Sequence, residues 1–246
     1  MSLNGLRILN TRPEHQAGAL SQMIRDAGGV PIALPTLVIE PLPPHWLATL
    51  PALSSIDSAI FVSANAADCF FQTFDTTWPT TIKTLAIGDA TANALAQQGI
   101  QVHAVPQIAD SEHLLALAPL QTIQQQSVLL ISGDQSRPLI AETLTARGAH
   151  VHPIAVYRRH LPKKNIPFTH ALWQDDAVDI ILVLSQTALH NLFILFEDAA
   201  KDWIQSKPCI VISPRLVDIA QRYDIRDVIL SSYDDLLTTL TRLTHD

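Results

Sequence analysis

Ile56-Asp57-Ser58-Ala59-Ile60-Phe61-Val62-Ser63-Ala64-Asn65-Ala66-Ala67 returns later in the chain as Val178-Asp179-Ile180-Ile181-Leu182-Val183-Leu184-Ser185-Gln186-Thr187-Ala188-Leu189. Asp57 is matched by Asp179 and Ser63 by Ser185, a constant offset of 122 residues that Phe71/Phe193 and Phe74/Phe196 continue. The same offset relates Leu6-Arg7-Ile8-Leu9 to Val128-Leu129-Leu130-Ile131, and Ile32-Ala33 to Ile154-Ala155. Solenoid repeats run about 20–50 residues, so a period this long marks domain-sized units. Two similar α/β units are expected, with the ligand site in a cleft between them, where small-molecule sites tend to form.

Outward from the repeat, short apolar strands alternate with amphipathic helices, the pattern of parallel sheets flanked by helices. Strands are expected at Leu6–Asn10, Val30–Leu34, Ala59–Val62, Thr84–Ile87, Val102–Val105, Val128–Ile131, His150–Tyr157, Ile180–Leu184, Cys209–Ile212 and Asp227–Leu230. Pro13 to Ala27 reads as the first helix, ended by Gly28-Gly29, and Gly99 and Gly148 mark two further helix ends. Ser111-Glu112-His113-Leu114-Leu115 and Tyr233-Asp234-Asp235-Leu236-Leu237 read as helix starts, with carboxylates where the dipole favours them.

Two proline-rich stretches, Pro41-Leu42-Pro43-Pro44 and Pro162-Lys163-Lys164-Asn165-Ile166-Pro167, read as linkers. Neither lies at the middle of the chain. Two crossings therefore predict a continuous domain, residues 37–160, inserted into a discontinuous one made of residues 1–36 and 161–246.

The composition narrows the function classes. Hydrophobic residues make up 48% and charged ones 16%, a balance that suits a compact core rather than a disordered chain. Apolar runs such as Ile180 to Leu184 are far too short to cross a bilayer. No basic segment followed by an apolar stretch opens the chain, so no secretory signal is expected. Cys69 and Cys209 sit in hydrophobic segments and read as reduced, buried residues of a cytoplasmic protein. The net charge is −7 and Lys163-Lys164 is the only lysine doublet, which argues against nucleic-acid binding. A polyanionic ligand would need local donors acting against this field.

Such donors are expected at the strand-to-helix junctions. Thr11-Arg12-Pro13, Ser63-Ala64-Asn65, Gly88-Asp89-Ala90-Thr91, Ser132-Gly133-Asp134-Gln135-Ser136-Arg137, Ser185-Gln186-Thr187 and Ser213-Pro214-Arg215 each follow a strand. In open α/β sheets the ligand crevice lies at this edge, and free N–H groups at helix starts favour anions. Two readings are open for each Ser or Thr: a helix cap, or part of a ligand edge.

No HExxH, CxxC, phosphate-loop lysine or GxSxG elbow is present, and Gly88 or Gly133 alone makes no dinucleotide fingerprint. His150 and His152 would share one strand face but lack supporting Cys, Asp or Glu, so no metal is expected. Tyr157 ends its expected strand ahead of Arg158-Arg159, and is either a packing residue or a hydroxyl donor.

In order along the chain, Thr11-Arg12-Pro13, Phe61-Val62-Ser63-Ala64-Asn65-Ala66, Ala86-Ile87-Gly88-Asp89-Ala90-Thr91-Ala92 and Asp110-Ser111-Glu112-His113-Leu114-Leu115 resemble the uroporphyrinogen-III synthase family. Gly133 with Arg137, and Gly148 leading to Val156-Tyr157-Arg158-Arg159, complete the resemblance across the whole length. It implies two α/β domains joined by a two-stranded crossover linker, and an enzyme without cofactor or metal. The substrate implied is hydroxymethylbilane, closed to uroporphyrinogen III with loss of water and inversion of the terminal pyrrole.

Carried over by residue, Tyr157 matches the tyrosine proposed to assist loss of the hydroxyl. Ser63, Thr91 and Ser185 match hydroxyls that bind the substrate carboxylates, with the neighbouring Ala64, Asn65, Gly88 and Gly133. Arg12 and Arg137 match family arginines, with a structural role as the alternative. Ser213-Pro214-Arg215-Leu216 departs from a Gly-Pro-Thr-like turn, so Arg215 is the anion donor expected there; Ser185-Gln186-Thr187 replaces Ser-Pro-Ser. A monomer is expected, with a transient contact with hydroxymethylbilane synthase as the one protein partner. The reading from another class is a non-catalytic two-domain binding protein for a small polyanion.

Overall fold

The computed structural model describes residues 2–244. The chain divides into two compact units: unit 1 runs up to Val38 and resumes at His160, and unit 2 is Ile39–Arg159. Unit 1 opens with β1 (Arg7–Asn10), α1 (Glu14–Asp26) and β2 (Val30–Ala33). Unit 2 follows with β3 (Val38–Pro41), β4 (Ser58–Phe61), α2 (Ala64–Thr73), β5 (Lys83–Ala86) and α3 (Asp89–Gln97). It continues through α4 (Ser111–Leu115), β6 (Ser127–Gly133), α5 (Leu139–Ala146) and β7 (His150–His160). The chain then completes unit 1 with α6 (Ile166–Gln174), β8 (Ile180–Val183), α7 (Gln186–Phe196) and α8 (Lys201–Ser206). Last come β9 (Cys209–Val211), α9 (Pro214–Arg222), β10 (Val228–Leu230) and α10 (Leu236–Arg242).

Each unit is built on a five-stranded sheet. In unit 1 the order is β2-β1-β8-β9-β10, parallel throughout. In unit 2 the order is β3-β7-β6-β4-β5, and β7 to β5 are parallel. The central strands are apolar without alternation because helices cover both faces. All four residues of β4 and of β8 are buried. Neighbours on one strand feed opposite cores: Phe61 packs with Trp46, Phe70 and Trp78, while Ile60 packs with Leu114 and Leu144.

The 122-residue repeat has a structural meaning. β1-α1-β2 of unit 1 corresponds to β6-α5-β7 of unit 2, and β4-α2 of unit 2 to β8-α7 of unit 1. Each copy of the repeat thus supplies a β-α-β piece to one unit and the remaining strands to the other. The repeated aspartate ties strands together in both. Asp57 Oδ2 accepts from the Ser127 N–H at 2.7 Å, and Asp179 Oδ2 accepts from the Arg7 N–H at 2.7 Å.

Asp179 also takes a bidentate bond from the Arg7 guanidinium. That bond, more than any other influence, holds its carboxyl below the usual carboxylate range. The pair is about one-third exposed, so solvent screening reduces its worth. Asp179→Asn is expected to cost about 1–2 kcal/mol at neutral pH. Because the folded-state carboxyl is depressed, the wild-type advantage is full above the unfolded value of about 3.9 and fades as pH falls below it. Urea unfolding of both proteins across that range measures it.

Four expectations are revised. Val102–Val105 forms no strand, only the bridge Leu85↔Ala104. There the His103 ring, through Nδ1, accepts the Thr84 N–H that a ladder carbonyl would take, and Pro106 follows without a donor. Val38–Pro41, which ends in the first proline of the expected linker, is an edge strand, the position in a sheet that tolerates proline. β7 runs three residues beyond Tyr157. α10 starts at Leu236 rather than Tyr233, because Ser232 and Asp235 cap each other ahead of it.

Candidate active site

Unit 2's strand order reverses between β6 and β4, and the carboxyl ends flanking such a switch point frame the crevice of an open α/β sheet. β4 leaves the sheet through Val62 into Ser63, whose Oγ accepts from the Ala66 N–H at 3.0 Å and caps α2. On the other side, β6 and β7 slip register: Ser132 faces Ala155 but Gly133 faces Tyr157. A bulge of this kind re-aims a side chain. Here it lays the Tyr157 ring over Gly133.

Gly133 is required by that contact. A Cβ at this position would lie 2.9 Å from Tyr157 Cζ, 3.1 Å from Cε2 and 3.2 Å from the hydroxyl oxygen. Tyr157 is only 2% exposed. Its hydroxyl lies 3.1 Å from Ser63 Oγ and accepts from Arg159 Nη2 at 2.8 Å. The Arg159 guanidinium carbon also stands 5.5 Å from the ring centroid, within cation–π range.

Gly133, Tyr157 and Arg159 help wall a cavity of about 370 Å3 that lies within unit 2. Val62, Ile87, Leu130 and Ile140 give it an apolar lining, while residues 109–112 and 134–137 carry its charged and polar groups. Arg137 and Arg159 are its cations; Asp110, Glu112 and Asp134 are its carboxylates. Asp110 accepts from the His113 N–H at 2.7 Å and from its ring at 2.7 Å. The backbone bond first, then the ring, holds its carboxyl below the usual range, so it stays ionised near neutral pH.

The expected site residues separate into groups. Gly133, Arg137 and Tyr157 line the cavity, and Ser63 is hydrogen-bonded to Tyr157. Ala64 and Asn65 form the first turn of α2. Gly88 caps α3, where a Cβ would come within 2.5 Å of the Ala109 side chain; its bareness lets the 109–112 segment pass. Thr91 is buried in the first turn of α3.

Arg12, Ser185 and Arg215 belong to unit 1. Arg12 donates to the Tyr233 hydroxyl at 3.0 Å and to Gln16 at 3.3 Å. Ser185 caps α7 by accepting from Ala188 N–H, and Arg215 reaches Gln186 at 3.4 Å. Thr11, beside Arg12, is a structural tie, its hydroxyl bonded to the Leu182 carbonyl at 2.6 Å.

Arg159 is the residue that sequence reasoning missed. Residues two apart on a strand share a face, so Tyr157 and Arg159 belong together, while Arg158 points away to Glu40 at 3.3 Å. Ending the strand at Tyr157 hid that pairing.

Among the described residues no cluster of three His, Cys, Asp or Glu side chains could hold a metal. Burial pushes the Cys69 thiol up to about 11 and the Cys209 thiol up to about 12, so neither offers a thiolate near neutral pH. No helix among the described residues is long and apolar enough to cross a membrane. The chemistry available is that of a phenol, a serine, two arginines and three carboxylates beside an apolar lining.

A duplicated, doubly wound α/β protein with a tyrosine-walled cavity at one carboxyl edge is the class that fold and site define. A family model described as uroporphyrinogen-III synthase HemD matches residues 18–235. The uroporphyrinogen-III synthase of Escherichia coli is 30% identical over 230 residues, covering 91% of this chain and 94% of that protein. That of Proteus mirabilis is 34% identical over 162 residues, covering 63% and 80%. The chain belongs to the uroporphyrinogen-III synthase family, lyases of porphyrin biosynthesis. A mutant uroporphyrinogen III synthase of Thermus thermophilus superposes with a TM-score of 0.67 at 20% identity, covering 98% of this chain and 100% of the other. The Helicobacter pylori enzyme gives 0.63 at 15% identity, covering 99% and 100%. At such identities the likeness speaks to the fold alone.

Proposed function

We propose that this chain closes hydroxymethylbilane to uroporphyrinogen III, with loss of water and inversion of the terminal pyrrole, and that Tyr157 assists departure of the hydroxyl. The observation carrying this reading is the Tyr157 hydroxyl on the wall of the cavity, bonded to Ser63 and Arg159. The pyrrole nitrogen supplies the electrons that break the C–O bond, and the phenol donates its proton to the departing oxygen. Ring closure through a spiro intermediate later releases a proton, which returns to the phenolate. The balance is one substrate to one macrocycle and one water, with no net change of oxidation state.

Arg137 at the cavity, with Ser185, Arg215 and Arg12 at the carboxyl edge of unit 1, are proposed donors to the substrate carboxylates. Ser63 and Thr91, with the neighbouring Ala64, Asn65, Gly88 and Gly133, are proposed to add hydroxyl and backbone donors to the same carboxylates. The protein is proposed to act as a cytoplasmic monomer without cofactor, in transient contact with the hydroxymethylbilane synthase that supplies its unstable substrate.

An isomer assay tests the reaction. Hydroxymethylbilane is generated in situ from porphobilinogen with a deaminase, the protein is added, and the oxidised uroporphyrins are separated. Type III is expected to dominate. Type I alone, the product of spontaneous closure, would overturn the reading in favour of a binding protein.

A further inference from the structure

We propose that Arg159 is the positioning residue for Tyr157, orienting the phenol hydrogen and supporting the charge that builds on its oxygen. The inference rests on the reaction proposed above, but its geometry stands without it. A phenol has one hydrogen to give, and a guanidinium can only donate. With Arg159 Nη2 donating to the phenol oxygen at 2.8 Å, that hydrogen is directed away from Arg159, toward Ser63 Oγ or into the cavity.

Ser63 Oγ already accepts from the Ala66 N–H, so it is fixed in place by the start of α2. The phenol is therefore contacted from two sides, on one of them by a serine that is itself fixed. Arg159 meets Tyr157 twice, through Nη2 at the oxygen and with its guanidinium carbon 5.5 Å from the ring centroid. When the phenol passes its proton to the departing hydroxyl, the O–H bond breaks, its electron pair stays on the phenol oxygen, and the new O–H bond completes water. The guanidinium is already bonded to that oxygen, so no reorganisation is needed as the negative charge appears. Arg159 acts through Tyr157, whereas Arg137 has no such link and remains available to a carboxylate.

The test is a double-mutant cycle with a second readout that needs no turnover. Arg159→Gln is expected to lower kcat for type III formation about 10-fold with KM nearly unchanged. On a Tyr157→Phe background the same change is expected to have no further effect, because residues acting as a unit are not additive. Arg159→Lys restores part of the loss, since it keeps the charge but not the planar fork. An equal fall on both backgrounds, or a rise in KM alone, would overturn the proposal and make Arg159 a direct carboxylate contact.

In resting protein carrying 13Cζ-tyrosine, the Tyr157 resonance, assigned by its loss in Tyr157→Phe, is expected to shift in Arg159→Gln and move back in Arg159→Lys. This second measurement separates the two failures. A wild-type protein making only type I isomer defeats the reaction, while an unmoved resonance defeats the positioning role. Unchanged circular dichroism in each variant keeps misfolding from imitating either result.

Discussion

Tyr157→Phe is expected to lower kcat for type III formation by about 10²-fold, at the lower end of the range for a lost general acid. The lower end is expected because the pyrrole itself drives the hydroxyl out, leaving the phenol to ease a departure already favoured. Stability should change by no more than about 1 kcal/mol. Ser63 keeps its bond from Ala66 N–H, and the exposed Arg159 regains water where it loses the phenol. Kinetics with hydroxymethylbilane made in situ, beside a thermal melt, measure both quantities. Unchanged kcat would remove Tyr157 from the chemistry and leave it a wall of the cavity.

Gly133→Ala is expected to be as damaging to turnover, about 10²-fold or more, and to cost about 1–3 kcal/mol of stability as well. The new methyl would stand 2.9 Å from the Tyr157 ring, which is buried and rigid and cannot bend aside like the tip of a lysine. Either the ring rotates away from Ser63 and Arg159 or the β6–β7 bulge opens. Tyr157→Leu made together with Gly133→Ala relieves the contact, so stability should return without activity. If Gly133→Ala retained full turnover, the ring would not need its present seat.

Much of the fold was legible because the strongest signals are local. A run such as Ile180 to Leu184 followed by a serine cap declares a buried strand entering a helix, and the 122-residue offset repeats that declaration. What escaped depended on partners far away in sequence. Val38–Pro41 becomes a strand through β7, more than a hundred residues later, and Val102–Val105 loses its ladder to a histidine ring. The candidate site followed the same rule. Tyr157, Gly133 and Ser63 were named singly, but the slip that stacks Tyr157 on Gly133 leaves no mark in composition or spacing. Arg159 alone was within reach, through strand alternation. Gly88 looked like part of a ligand edge, and only the position of Ala109 shows what its missing side chain makes room for.

The exchange of pieces between the two copies of the repeat bears on the order in which the chain acquires its form. Unit 2 is continuous, so all of its residues have been made once the chain has passed Arg159. β1, α1 and β2 leave the ribosome before unit 2 and β1 can pair with β2, yet the other neighbour of Ile8, Ile180, arrives only after unit 2 is complete. The entropy of closing so long a loop grows only slowly with length, but contacts so distant in sequence form late. Until then β1 presents an unpaired apolar edge, the feature most prone to join another chain. β1 is therefore made before unit 2 but fully sheltered only after it. Slowing translation beyond residue 160 would lengthen that exposure without changing any contact of the finished protein.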